Sequence, residues 1–413
     1  MFAKLEKHNT ILMFDAATYK FKGEIKAKSR GVSKLAPNGK DVYFTTDFQL
    51  QKLEIQTGKV TPTKKALQGT EAVSLDFIQH EGKTYLTGLL GNTGTFFTYD
   101  VATEDLLVDR FPLPALGVPI YNLGTGPDGN IYISSYVSEK MGVYHPATET
   151  FSTVEKVGQV EGFAVANNRF YLGIYPGGIV SEMNFSYKSP YVQELFKIGN
   201  GQDRPVAMTG VKGTNQLFIG THPKNGEIGG SLTIYDTAKK THSVRRNIVK
   251  DQSIISLTTH QGYVYGGTSI FSGKNIEGKQ NAVFFRIKGT APNGKIEILP
   301  LGVSKPRMIH ALTADDKGKV YGLSDGNFFA YDPHTKKTQS VNVVKNTSGR
   351  FQNGSLVIGN DKYIYGTVEG TLFRVHSGTF KLEKLRDSGA NRLTKGADGV
   401  IYFTNKDELW KVE

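Results

Sequence analysis

Twelve arginines stand against 38 lysines in this sequence, and a third of the arginines share one setting. Arg204, Arg307, Arg350 and Arg392 each fall at the head of a short apolar strand in a recurring strand pattern. Arginine is a planar, permanently charged fork that matches carboxylate, sulfate or phosphate, whereas lysine is a flexible point charge. Polar residues share the setting: Gln202 and Asp203, Asp251 and Gln252, and Asn353, with His310 just behind Arg307. Where the following strand ends, on the same side of each repeat, stand Tyr136, Tyr175 and His222. These tyrosines and histidines are groups that can give or take a proton. Two readings stay open. The arginines staple neighbouring repeats through ion pairs, with Asp203 and Asp251 as partners, or they line a funnel that receives an anion. The two can coexist.

The elements that must position these residues are short strands. Met308 to Val344 shows the pattern: an apolar run, a polar turn at Asp315–Gly318, a run ending in small residues, a turn at Asp325-Gly326, an aromatic strand, the turn Asp332-Pro333-His334-Thr335, and an alternating strand. Four strands joined by three turns in so short a span make one antiparallel sheet. One sheet cannot cover both of its faces, so it must stack on copies of itself. The turn recurs as Phe14-Asp15, Tyr99-Asp100, Tyr144-His145, Tyr235-Asp236 and Tyr331-Asp332, and in every copy but that at His145 an aspartate caps the turn through its own backbone. Inner hairpins fall at 32–46, 73–88, 121–135, 160–175, 206–221, 254–268, 308–324, 355–367 and 393–404. Only one short strand follows the last hairpin, and outer strands without an inner hairpin precede the first. The expectation is therefore one all-β domain over residues 1–413, a β-propeller of four-stranded blades. Nine blades are counted, eight or seven being the alternatives, with the N-terminal strand completing the last sheet and closing the ring.

On this strand-and-turn pattern the chain resembles the bacterial β-propeller superfamily of YVTN/WD40-like repeat proteins, over essentially its whole length. The Trp-Asp dipeptide and the Gly-His pair of true WD40 repeats are absent. In fold and residue types it is also similar to propeller polysaccharide lyases, which cleave uronic-acid glycans by β-elimination, although no motif is matched. That similarity implies a cation to neutralise the uronate carboxylate, a His or Tyr base, and an acid for the leaving oxygen. It would make His222, His310, Tyr136 and Tyr175 catalytic, and Gln202, Asp203, Arg204, Asp251, Gln252, Arg307, Arg350, Asn353 and Arg392 substrate-binding. The first expectation is a binding protein for an anionic carbohydrate or cell-surface partner in the central funnel. The alternative is a polysaccharide lyase. Paired carboxylates at a readable glycosidase spacing are absent, which lowers a hydrolase relative to a lyase.

Composition removes other classes. With 38% hydrophobic and 21% charged residues the chain is globular. No apolar run approaches the roughly 20 residues of a membrane span, so no membrane insertion is expected. No cysteine is present, which excludes disulfides, thiolate metal sites and a thiol nucleophile. No cofactor and no metal are expected. The net charge of +12 is spread over outer turns such as Lys64-Lys65, Lys239-Lys240 and Lys336-Lys337, a solvated surface and not a nucleic-acid stripe. The expected partner is an acidic polysaccharide or other anionic ligand, bound by a monomer. Avoidance of cysteine points to a secreted or cell-surface bacterial protein; the first residues lack a signal-peptide core, so either a leader has been removed or the protein is cytoplasmic. Gly124-x-Gly126-x-x-Gly129 and Gly322-x-Ser324-x-Gly326 match a dinucleotide fingerprint and a nucleophile elbow, but strands follow both where helices are required. The loops at 222–230 and 269–281 are polar insertions of the kind that carry binding.

Overall fold

The computed structural model describes residues 2–5, 9–26, 30–46, 48–67, 72–90, 94–111, 117–185, 190–273, 276–291, 293–345, 347 and 353–412. Among the described residues all regular structure is strand, arranged in ten antiparallel sheets, eight of four strands and two of three. In every sheet, strands adjacent in sequence are adjacent in space. All nine inner hairpins are present; the last, for example, pairs Leu393–Lys395 with Ile401–Asn405. The tenth sheet is the correction. The N-terminal strands Phe2–Leu5, Thr10–Phe14 and Phe21–Lys26 pair with one another, satisfying their ladder hydrogen bonds among themselves, and the last sheet keeps three strands. The N-terminal strand therefore does not complete the last blade.

The contacts group the chain into two compact units, Met1–Leu116 and Gly117–Glu413. The first unit holds three sheets in series. Ile11, Phe44 and Leu53 fill the space between the first two, and Tyr43, Leu50, Leu86 and Phe97 that between the second and third.

The second unit holds seven sheets, here blades 1 to 7, whose innermost strands are Ile120–Thr125, Gln159–Ala166, Gln202–Gly210, Ser253–His260, Ile309–Ala314, Gly354–Ile358 and Leu393–Lys395. Each innermost strand packs on the next, and that of blade 7 packs on that of blade 1. At this last junction Thr125 Oγ1 lies 2.8 Å from Thr394 Oγ1 and donates to the Lys395 carbonyl at 2.9 Å, while the Tyr144 and Tyr402 rings meet at 5.7 Å. Every blade of this unit thus has a blade on either side.

The sequence pattern follows from that stacking. In blade 5 the second strand, Val320–Ser324, is buried at every position, whereas the outermost, Lys337–Asn342, is mostly exposed and polar. The aromatic-Gly signal of the second strands has a steric cause. Gly266, Gly322 and Gly366 face Phe285, Phe329 and Phe373 across the sheet, and a Cβ at any of them would collide with that ring. Each such buried phenylalanine contributes about 2 kcal/mol of apolar burial. Asp236 and Asp332 cap their turns by accepting from the amides two and three residues on, as expected. A further staple recurs in four blades: the inner-hairpin aspartates Asp128, Asp315, Asp361 and Asp398 accept from the hydroxyls of Tyr132, Tyr321, Tyr365 and Tyr402 at 2.7–2.8 Å. Asp128 explains the glycine-rich Gly124–Gly129 stretch, which is a hairpin turn.

Candidate functional site

The mouth of the second unit is built where the innermost strands begin, and its hub is Glu161. This glutamate follows Gln159-Val160 at the start of blade 2, and its side chain is fully buried. Its carboxylate accepts from Arg204 Nη1 at 2.6 Å and Gln159 Nε2 at 2.7 Å on one oxygen, and from the Tyr121 hydroxyl at 2.6 Å on the other. Burial pushes the Glu161 carboxyl above its ordinary value, against the opposing pull of Arg204, Tyr121 and Gln159. On Arg204, burial is outweighed by Glu161, Tyr121 and Tyr175, and the guanidinium is held above its ordinary value. Its central carbon lies 3.8 Å from the centre of the Tyr175 ring. Tyr121 meets the exposed Tyr136 at 5.9 Å between ring centres, and the Arg392 guanidinium lies 5.9 Å from the centre of the Tyr121 ring. Tyr136, Tyr121, Glu161, Arg204 and Tyr175 thus form one continuous arc over blades 1 to 3.

The other expected residues divide. Gln202 and Gln252 stand at equivalent positions and do the same structural task. Each side-chain oxygen accepts from a second-strand threonine, Thr221 or Thr268, and each amide reaches a loop carbonyl, of Gly229 or Asn281. Asp203 accepts from the Gly177 amide at 2.7 Å and so fixes the blade 2 turn. Asp251 has a left-handed backbone, its amide donating to Asn247 at 2.6 Å and its carbonyl accepting from Ser272. Arg307 is half-exposed, 3.5 Å from Glu277 and 4.9 Å from the Phe271 ring centre, both in the blade 4 insertion. Asn353 donates its side-chain amide to Glu369 and its main-chain amide to His310 Nδ1. Arg350 lies outside the described residues.

Of the two histidines, His222 is paired across the sheet with Arg204 and only 5% exposed, and His310 is 3% exposed. Burial, with Arg204 beside it, pulls His222 down to about 4; burial, with Arg392 beside it, pulls His310 down to about 3. Both are neutral imidazoles at physiological pH, shut away from solvent. The mouth therefore brings Arg204, Tyr175, Tyr136 and Arg392 around one carboxylate, while both histidines lie buried behind it.

Below the mouth the innermost strands of blades 1 to 6, with Arg392 at the start of blade 7, surround an axial cavity of about 170 Å³. The walls are largely apolar, including Phe163, Met208, Leu257 and Leu312, with Asn122, Ser256 and Ser355 as polar groups. Arg392 is the only charged side chain among its described lining residues. Its Nε donates to the Tyr121 carbonyl at 3.1 Å. Burial pulls the guanidinium below its ordinary value, opposed by Tyr121 and Glu161. The blade 3 and blade 4 insertions pack on each other beside the mouth, with Gly229 donating to Ser272 and Gly273 to the Glu227 carbonyl. Gln159 was missing from the sequence-derived site, and Glu161, which stands at the same repeat position, was given no role in it. A glutamate inside the apolar run Gln159-Val160-Glu161-Gly162-Phe163 was the available signal, since buried carboxylates require partners.

No family of known sequences matches this chain, and no curated protein matches it. Solved structures do. The extracellular domain of the one-component system BT4673 from B. thetaiotaomicron aligns over 100% of this chain and 64% of its own, with 11% identity and a TM-score of 0.50. PorZ, a surface component of the type-IX secretion system of Porphyromonas gingivalis, aligns over 98% of this chain and 60% of its own, with 13% identity and a TM-score of 0.53. The chain thus spans less than two thirds of either protein. At these identities the likeness is one of fold, the all-β propeller, and a fold is shared by many functions.

Proposed function

We propose that this chain is a recognition propeller that binds an anionic carbohydrate at the mouth of its second unit. The observation that carries this reading is the arc in which Arg204 lies against Tyr175 and Tyr136 stands exposed beside Tyr121. Exposed tyrosine faces suit the apolar faces of sugar rings, and fixed guanidinium groups suit their carboxylates. Arg307, half-exposed over Phe271, adds a second arginine–aromatic pair beside the insertions. That two structural neighbours are an extracellular domain and a surface component agrees with a role at the cell surface. Catalysis by β-elimination has less support. A base must touch the substrate proton; His222 and His310 are both buried, which leaves only the mouth tyrosines for that role.

The test is calorimetric titration with polygalacturonate, alginate and hyaluronate against neutral dextran. Saturable binding of a uronate polymer, weakened in Tyr136→Ala and Arg307→Gln, is expected, without ultraviolet absorbance from unsaturated uronate ends. Equal binding of dextran, or binding unaffected by both substitutions, would overturn the site. Growth of that absorbance would make the protein a lyase.

A further inference from the structure

His260 and His334 belong to neighbouring blades and have no part in the mouth. His260 ends the innermost strand of blade 4, Ser253–His260, at the far end from the mouth. His334 stands in the outer turn of blade 5, where its amide donates to Asp332 Oδ1 at 2.8 Å. Between them lies the buried Gly318, in the inner hairpin turn of blade 5, its amide donating to the Asp315 carbonyl at 3.3 Å. A Cβ on Gly318 would lie 3.4 Å from His260 Nε2 and 3.6 Å from His334 Nε2. Two imidazole nitrogens from different blades thus converge on one point, beside a residue with no side chain to fill it. His260 Nε2 is buried and has no hydrogen-bond partner among the described residues. A buried polar nitrogen left in that state is costly and calls for a physical reason.

We infer that His260 and His334 form a two-imidazole site for a borderline divalent metal ion of the zinc class, joining blades 4 and 5 on the side away from the mouth. Imidazole nitrogen suits zinc, copper and nickel, whereas calcium and magnesium take oxygen ligands. A metal bond would satisfy His260 Nε2 where the protein offers it nothing else. The His334 ring is exposed, so it can adjust to the ion without disturbing the core. The Asp332 carboxylate interacts electrostatically with His334 and favours positive charge there. Two protein ligands leave the other positions of a tetrahedral zinc to water, so the site is open and exchangeable. This inference does not rest on the glycan reading, which concerns the opposite end of the innermost strands.

The test uses the whole chain, titrated calorimetrically with zinc chloride at neutral pH in a buffer that does not chelate metal, with magnesium chloride as the control. Saturable binding of zinc and none of magnesium is expected. His260→Gln and His334→Gln should each weaken it by about tenfold or more, since losing a ligand should cost at least as much as losing a second-shell partner. Because His334 is exposed, His334→Gln should melt like the wild type without zinc and keeps the test decisive if His260→Gln fails to fold. Crystals soaked in zinc chloride supply a measurement that needs no variant, with anomalous density expected between the two rings. Absence of zinc binding overturns the proposal. So does binding that survives unchanged in His334→Gln, or zinc density found only elsewhere on the molecule.

Discussion

The two buried histidines make a quantitative prediction about acid. In the unfolded chain His222 and His310 should titrate near the ordinary imidazole value of about 6.5. In the folded protein they are held down to about 4 and about 3, chiefly by burial. Between those limits the unfolded state binds more protons than the folded state, so stability is complete above about pH 6.5 and falls as pH falls. Acidification from about pH 7.5 to about pH 5 should cost about 2 kcal/mol for each histidine, or about 4 kcal/mol together. The turn aspartates Asp100, Asp236 and Asp332, lowered chiefly by backbone amides, lose their contributions only below the usual carboxylate range, whereas the Glu161 and Asp325 carboxyls, pushed up by burial, take up protons more readily in the folded state and offset part of the histidine loss. The assay is urea unfolding of the second unit, reported by Trp410, across this pH range. His222→Gln and His310→Gln should each halve the loss, whatever their effect at neutral pH. A pH dependence of stability that is the same in the wild type as in both His222→Gln and His310→Gln would refute buried neutral imidazoles.

Three further outcomes follow from the packing. Arg204→Met should destabilise the second unit by about 3 kcal/mol, because it strands a fully buried carboxylate; Arg204→Met/Glu161→Leu should recover much of that loss in a double-mutant cycle by denaturation. Gly322→Ala should cost about 2 kcal/mol by driving a Cβ into the Phe329 ring, read as a lowered melting temperature. Tyr402→Phe, which removes the 2.7 Å bond to Asp398, should cost about 1.5 kcal/mol, and the same change at Tyr321 a similar amount by the same measurement.

Much of the architecture was legible because a propeller blade is local. Each hairpin is specified within a few dozen residues, by an aspartate capping its own turn at Asp332 or a glycine yielding to a cross-strand ring at Gly322. The Asp–Tyr staples were legible in principle too, since Asp361 and Tyr365, or Asp398 and Tyr402, stand four residues apart on one hairpin. The fate of the N-terminal strands was not. The sequence offers unpaired edges at both ends, and several pairings satisfy the same backbone groups. In the structure Thr10–Phe14 is flanked by its own chain neighbours on both sides.

What the sequence determined by itself is the repeat, its all-strand character and the ring of polar residues at one repeat position, because strand period, turn chemistry and cross-strand sterics act over short separations. What only the tertiary structure decided is the state of each residue in that ring. Arg204 is joined to a glutamate 43 residues away, and Arg392 to a tyrosine carbonyl 271 residues away. Gln202 and Gln252 turned inward to hold threonines. His222 and His310 lost their solvent and their charge. Burial and partnership are properties of strands brought together from distant parts of the chain, and they separate an arginine that staples blades from one that faces a cavity.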